Sequence, residues 1–413
     1  MPFSLLRYGL KSKHEPWSII PPTPELKTSY DVVIVGAGGH GLAAAYYLAT
    51  QHGIRNIAVL EKGYLGGGNT ARNTAIIRAN YLTPEGVKFY DKSMQLWQGL
   101  ANELGINLMY SPRGHLTLAH TDAAMRTARW RAEVNKALGV DSEVVLPADI
   151  AKLCPELNLS QDVRYPIMGA LYHPPGAIAR HDAVAWGYAM RAAQKGVEVH
   201  QKTEVLGFEQ EANKIQTVVT NRGRISAGKV LIAVAGNTPR VMGLAGLKTP
   251  IKTIPLQACV SEPVKPVLDP IIVSGSLHVY ISQSARGEFV MGGATDPYPL
   301  YQSRSTLDFA ETLFGDMLEL FPFLRHMKML RQWAGQADMT PDFAPVMGKT
   351  ALDNLYLDAG WGTWGFKATP VAGYTMADCV ANDRPGEFIE PFAIDRFKRF
   401  RLLGERGAAS VGH

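Results

Sequence analysis

At 413 residues, 46% of them hydrophobic, the chain is long enough for two to three domains of ~150 residues, each burying its own core. Its formal charge of +5 is spread thinly, without the concentrated Lys/Arg run of a nucleic-acid binder. Cys154, Cys259 and Cys379 stand far apart in no metal spacing, which points to a reducing compartment and away from a disulfide scaffold. No apolar run reaches about 18 residues and no signal-peptide pattern opens the sequence, so it reads as a cytoplasmic chain without a membrane span.

Residues 1–29 carry Pro2, Pro16, Pro21, Pro22 and Pro24 and no apolar periodicity. They read as an arm that is disordered, wraps its own domain or reaches onto a partner. Val32 to Val35 then run straight into Gly36-Ala-Gly38-Gly39-His-Gly41. A short continuous apolar run fits a strand of a parallel sheet, buried on both faces. Gly36 permits the tight turn, Gly38 lets the backbone approach a pyrophosphate, and Gly41 lets a helix from Leu42 to about Thr50 sit close to the strand. That helix aims free N–H groups at phosphate. A second run, Ile57 to Leu60, ends in Glu61, twenty positions after Gly41, where an acid accepts hydrogen bonds from a ribose diol and disfavours a 2′-phosphate. Strand, glycines, helix and acid together mark a dinucleotide site that includes Gly39 and Lys62.

Gly63 to Tyr81 form a glycine-rich loop holding Arg72 and Arg78. A guanidinium there can fix a carboxylate through two parallel hydrogen bonds. Thr83-Pro84-Glu85 reads as cap, first-position proline and first-turn acid of a helix running to about Leu104. Leu108 to His120 reads as a hairpin turning at Ser111 to Gly114, and Thr121-Asp122 opens a helix to about Leu138. Short strand residues from Tyr165 lead to His173-Pro-Pro-Gly176, followed by a helix from His181 to about Lys195 and a strand ending at His200. A strand begins near Val205. Lys214 to Thr220 and Gly223 to Ala227 form a meander, and Val230 to Val234 is a separate buried run breaking at Ala235-Gly236, a further close approach of backbone to ligand.

Residues Ile251 to about Leu330 read as a mixed, mostly antiparallel sheet with one helix, Ser305 to Leu320, covering a site. His278 and Tyr280 alternate along a strand and so share a face, looking either into the cavity or into the core. The dinucleotide domain resumes near Met339. Gly360-Trp-Gly362-Thr-Trp-Gly365-Phe366-Lys367 forms a second glycine loop, with Pro370 opening a helix to about Val380. Trp361 and Trp364 pack either in the core or against the ligand ring. Lys367 supplies a second cation opposite Arg78.

One dinucleotide motif, with a distant glycine loop opening a final helix, resembles the amine-oxidising flavoproteins of the D-amino acid oxidase and glycine oxidase superfamily. Three local segments are similar to the β-subunit family of heterotetrameric sarcosine oxidases: Leu171-Tyr-His173-Pro-Pro-Gly to Asp182, Ile76-Ile-Arg78, and Gly365-Phe-Lys367. The resemblance implies an α/β fold. Its Rossmann-like FAD-binding domain, of the glutathione-reductase type, would comprise 30–97, 162–250 and 332–390. An inserted mixed β-sheet substrate domain would comprise 98–161 and 251–331, and 391–413 would form a tail. It implies FAD in the motif and FMN covalently attached to His173. It also implies sarcosine held by Arg78 and Lys367 with Arg72 nearby, and oxidation passing electrons through FMN to dioxygen. Its implied partners are a large NAD- and folate-binding subunit and two small subunits. Gly335 stands about where monomeric relatives attach FAD through cysteine, so FAD is expected to be non-covalent. The alternatives are a proline- or opine-type dehydrogenase subunit and a non-catalytic electron-transfer subunit.

Overall fold

The computed structural model describes residues 22–408, so residues 1–21 of the expected arm and 409–413 of the tail lie outside the described residues. Ser29–Val35 is flanked in parallel by Ile57–Leu60 on one side and Gly223–Ile232 on the other. Glu198–His200 extends the sheet beyond Ile57–Leu60. Gly223–Ile232 is one strand where two were expected. Its first half pairs antiparallel with Lys214–Thr220, and its second half pairs in parallel with Leu355–Ala359. Gly228 keeps it continuous: a Cβ there would lie 2.8 Å from the Asp31 carbonyl oxygen, so only glycine lets the neighbouring strand lie this close.

The second sheet runs in the order Met329–Met339, Lys252–Pro263, Glu288–Thr295, Val279–Gln283, Ile271–Ser274, His115–Ala119, Gly169–His173, Glu143–Val145. It therefore draws Gly169–His173 from inside the 162–250 segment expected in the FAD domain, and Met329–Met339 from across the expected boundary at 331/332. The Leu108–His120 hairpin does not form. The Arg113 and Gly114 amides both donate to the Gly176 carbonyl, at 2.8 and 2.9 Å. Ser111–Pro112 consequently pairs with Ala177–Ile178, and His115–Ala119 with Gly169–His173. Non-local partners outcompete the local turn. His278 adopts φ +54° in an exposed turn before its strand, so it does not share a face with buried Tyr280.

The helix Pro84–Leu104 is capped as the sequence indicated. Thr83 Oγ1 accepts from the Gly86 amide at 3.1 Å, and Gly105 ends it in the left-handed conformation. The final helix spans Gly365–Asn382, starting five residues before the expected opening at Pro370, which lies inside it. Gly373 explains its placement: a Cβ there would sit 2.3 Å from Ala43 Cβ, so the final helix packs directly on the first, Gly39–Gln51. Both N-termini thereby face one cavity between the two sheets.

Candidate active site

The cavity has a volume of about 590 Å³. At one end it is lined by Gly36, Gly38, Gly39, Glu61, Lys62, Val205, Ala235 and Asn237. Gly36 has φ +109°, and a Cβ on it would lie 2.3 Å from the Ala233 carbonyl oxygen. A Cβ on Gly41 would lie 2.0 Å from the Gly36 carbonyl oxygen, so Gly41 serves helix–strand packing and does not line the cavity. A Cβ on Gly38 would meet only Thr70 Oγ1, at 3.3 Å. That position is open on the cavity side, as a phosphate approach requires. Glu61 is held by the Ala37 and Gly63 amides, at 3.1 and 2.8 Å. Ala235 lines the wall with φ +47°, whereas Gly236 packs onto Gln336 and stays outside the lining.

The other end is lined by Arg78, His115, Tyr280, Gly335, Gly362, Trp361, Trp364, Gly365, Phe366 and Lys367, while Gly360 packs behind the wall against Thr340. Arg78 is buried, donates to Asn80 Oδ1 at 2.9 Å and stacks its guanidinium 4.6 Å above the Tyr81 ring. Lys367 lies in the first turn of the final helix, with Nζ 3.4 Å from the Thr363 carbonyl oxygen. Burial, and then the neighbouring Arg78 charge, hold its ammonium well below the ordinary lysine range. Two basic groups in one buried cavity suit an anion, whose negative charge would favour the Lys367 ammonium again. Arg72 lines the same cavity, but its guanidinium donates to the Gly67 and Gly68 carbonyls and so shapes its own loop.

Sequence reasoning passed over His40, inside the motif itself. Its Nδ1 lies 3.0 Å from Asp358 Oδ2 and its Nε2 2.7 Å from the Gly365 carbonyl oxygen. Both partners only accept, so both ring nitrogens carry protons. Burial opposes that charge, but the Asp358 carboxylate outweighs it and raises the pKa above the usual histidine value. Trp361 Nε1 donates to the same carboxylate at 2.6 Å. Asp338 accepts from the Gly360 amide at 2.6 Å, and burial pushes its carboxyl up to about 6. This network fastens the tryptophan loop to the first helix. The signal was a histidine at a variable motif position, with partners more than 300 residues away that no local pattern reveals.

His173 does not line the cavity, and its side chain is buried. Its Nδ1 donates to the Asp141 carbonyl at 2.6 Å, and its Nε2 accepts from the Ala79 amide at 3.3 Å. Burial depresses its pKa to about 4, leaving a neutral imidazole whose lone pair is on Nε2.

The FAD dependent oxidoreductase family matches residues 31–379. The chain is 48% identical to the sarcosine oxidase subunit beta of an Arthrobacter species over 94% of this chain and 96% of that one. It is 44% identical to the subunit of the same name from Rhodobacter capsulatus over 100% and 99%. Among solved structures, the L-proline dehydrogenase of P. horikoshii superposes with a TM-score of 0.86 at 27% identity, covering 91% of this chain and all of that one. Glycine oxidase from Geobacillus kaustophilus superposes at 0.81 with 22% identity over 90% of this chain and 99% of that one, a likeness of fold.

Proposed function

The chain belongs to the FAD dependent oxidoreductase family, among the sarcosine oxidase β subunits, and we propose that it catalyses oxidative demethylation of sarcosine as one subunit of a complex. The observation that carries this reading is the pair of buried basic side chains, Arg78 and Lys367, at one end of a cavity whose other end is a dinucleotide cradle. The residues fit FAD: the open face at Gly38, the helix N-terminus at Gly39 and the Glu61 carboxylate suit its phosphates and ribose. When bound, FAD supplies the acceptor for the hydride equivalent leaving the N-methyl carbon. Arg78 and Lys367 hold the substrate carboxylate and so fix which C–H bond faces the ring. Their charge disfavours the ammonium form, and the neutral amine is the form that can be oxidised. Trp361, Trp364 and Tyr280 exclude water from that end.

The Leu171 to Asp182 segment supports a second flavin, FMN, covalently held by His173 and passing electrons to dioxygen to give hydrogen peroxide. With Nδ1 committed to Asp141, the bond would form at Nε2, which must release the Ala79 amide. The relatives' designation as β subunits supports partner chains, and the resemblance implies a large NAD- and folate-binding subunit and two small subunits in a heterotetramer. The likeness to an L-proline dehydrogenase supports a second reading, oxidation of another secondary amino acid with electrons delivered to a partner.

Oxygen uptake separates the two. Sarcosine-dependent oxygen consumption with peroxide release is expected of the purified complex, and reduction of an artificial dye without oxygen uptake would favour the dehydrogenase. Acid precipitation tests FMN: yellow colour retained on the chain supports attachment, and a colourless pellet from the fully loaded complex rejects it.

A further inference from the structure

After the Ile76–Ile77 strand the chain turns tightly, with the Tyr81 amide donating to the Ala79 carbonyl at 2.9 Å. The turn is gripped from outside at three successive residues. The Ala79 amide donates to His173 Nε2 at 3.3 Å, and the Tyr81 carbonyl accepts from Asn135 Nδ2 at 3.0 Å. Between them, the Asn80 carbonyl accepts from both Nε and Nη2 of Arg131, the first at 2.8 Å. Arg131 and Asn135 lie four positions apart on the helix Asp122–Ala137, so one helix face pins two consecutive carbonyls.

Arg78 closes back onto this turn. Its Nη1 donates to the Asn80 carbonyl at 3.1 Å and to Asn80 Oδ1 at 2.9 Å. Asn80 is fully buried and stands behind the cavity wall, whereas Arg78 forms part of it. Both oxygens that Asn80 offers are neutral. An amide oxygen fixes the direction of a guanidinium without cancelling its charge, as a carboxylate at the same distance would. Burial and the Arg78 charge disfavour the Lys367 ammonium until an anion arrives. Arg78 therefore supplies the standing charge at this end.

Resting on the amino-acid reading of this cavity, we infer that Asn80 is a positioning residue for the substrate carboxylate. Its two oxygens, with the carbonyl steadied by Arg131, aim the Arg78 guanidinium and leave its charge for the ligand. Asn80→Asp separates these two effects, because it keeps the shape and the accepting oxygen but sets an anion against Arg78.

The test uses the flavin-loaded complex and two inert ligands of one shape, pyrrole-2-carboxylate and its neutral amide, pyrrole-2-carboxamide. Binding is read from the perturbed visible spectrum of the flavin. The wild type should prefer the acid by about tenfold or more, the effect of charge-assisted bonding. Asn80→Asp should lose most of that preference through weaker acid binding while amide affinity is kept. Asn80→Ala, which retains the main-chain acceptor and adds no charge, should weaken the acid severalfold and leave the amide unchanged. A wild-type preference in Asn80→Asp, or equal loss for both ligands, overturns the inference. Should Asn80→Asp fail to load flavin, Asn80→Ala decides, and an unchanged acid affinity there overturns it. A wild type indifferent to the two ligands would instead remove the amino-acid reading, and the inference with it.

Discussion

Two alanine substitutions in the glycine motif, two and five residues after Gly36, should fail in different ways. In Gly41→Ala the new Cβ would lie 2.0 Å from the Gly36 carbonyl oxygen and 3.2 Å from Ile34 Cγ2. The first helix must retreat from the strand by about 1 Å, an overpacking cost of ~1–3 kcal/mol. In Gly38→Ala the Cβ meets only Thr70 Oγ1, at 3.3 Å, and otherwise fills the phosphate approach. The apo fold should change by less than ~0.5 kcal/mol. FAD, however, loses at least one charge-assisted backbone contact, about 1.5–3 kcal/mol, or roughly ten- to hundredfold in dissociation constant. Urea denaturation of the apo chain measures the first quantity, and quenching of FAD fluorescence on binding measures the second. Wild-type FAD affinity in Gly38→Ala would refute the assignment of Gly38 to the phosphate side. Unchanged stability in Gly41→Ala would refute the packing role of Gly41.

Replacing Arg78 or Lys367 by Met should weaken a carboxylate inhibitor by ~1.5–3 kcal/mol each, measured by spectral titration; undiminished affinity removes that residue from the site. The tail is anchored by Arg396, whose guanidinium makes two bonds to Asp342, at 2.8 and 2.9 Å, with both side chains buried. Asp342→Ala strands that charge and should cost ~3–5 kcal/mol in thermal or urea unfolding, and much less in an Asp342→Ala/Arg396→Met double variant. His173 binds its proton less readily folded, at about 4, than unfolded, near 6.5. Its contribution to stability is present at neutral pH and is lost as pH falls from about 6.5 through about 4. In chain free of covalent flavin, His173→Asn should flatten the pH dependence of unfolding over that window, and an unchanged slope would contradict the buried neutral imidazole.

The dinucleotide half of the site was legible because its determinants are local. Gly36 to Gly41 act on one turn, and Glu61 follows at the next strand end. The helix start at Thr83 was equally local, since a cap acts within one turn. What escaped was decided by distant partners. The Leu108–His120 hairpin failed because the Gly176 carbonyl captured both turn amides. The final helix began before Pro370 because Gly373 seats it against Ala43 and Asp338 gathers the loop at Gly360. Proline removes one amide without forbidding the turn before it. His40 went unread because an imidazole's role is set by what faces it, here Asp358 and Gly365.

The most direct measurement is anaerobic mixing of sarcosine with the FAD-loaded complex, followed by the visible flavin absorption. Sarcosine should bleach it, its methyl ester should bleach it far more slowly, and Lys367→Met should respond weakly to both. A flavin that dithionite reduces but that sarcosine leaves oxidised would contradict amine oxidation in this cavity.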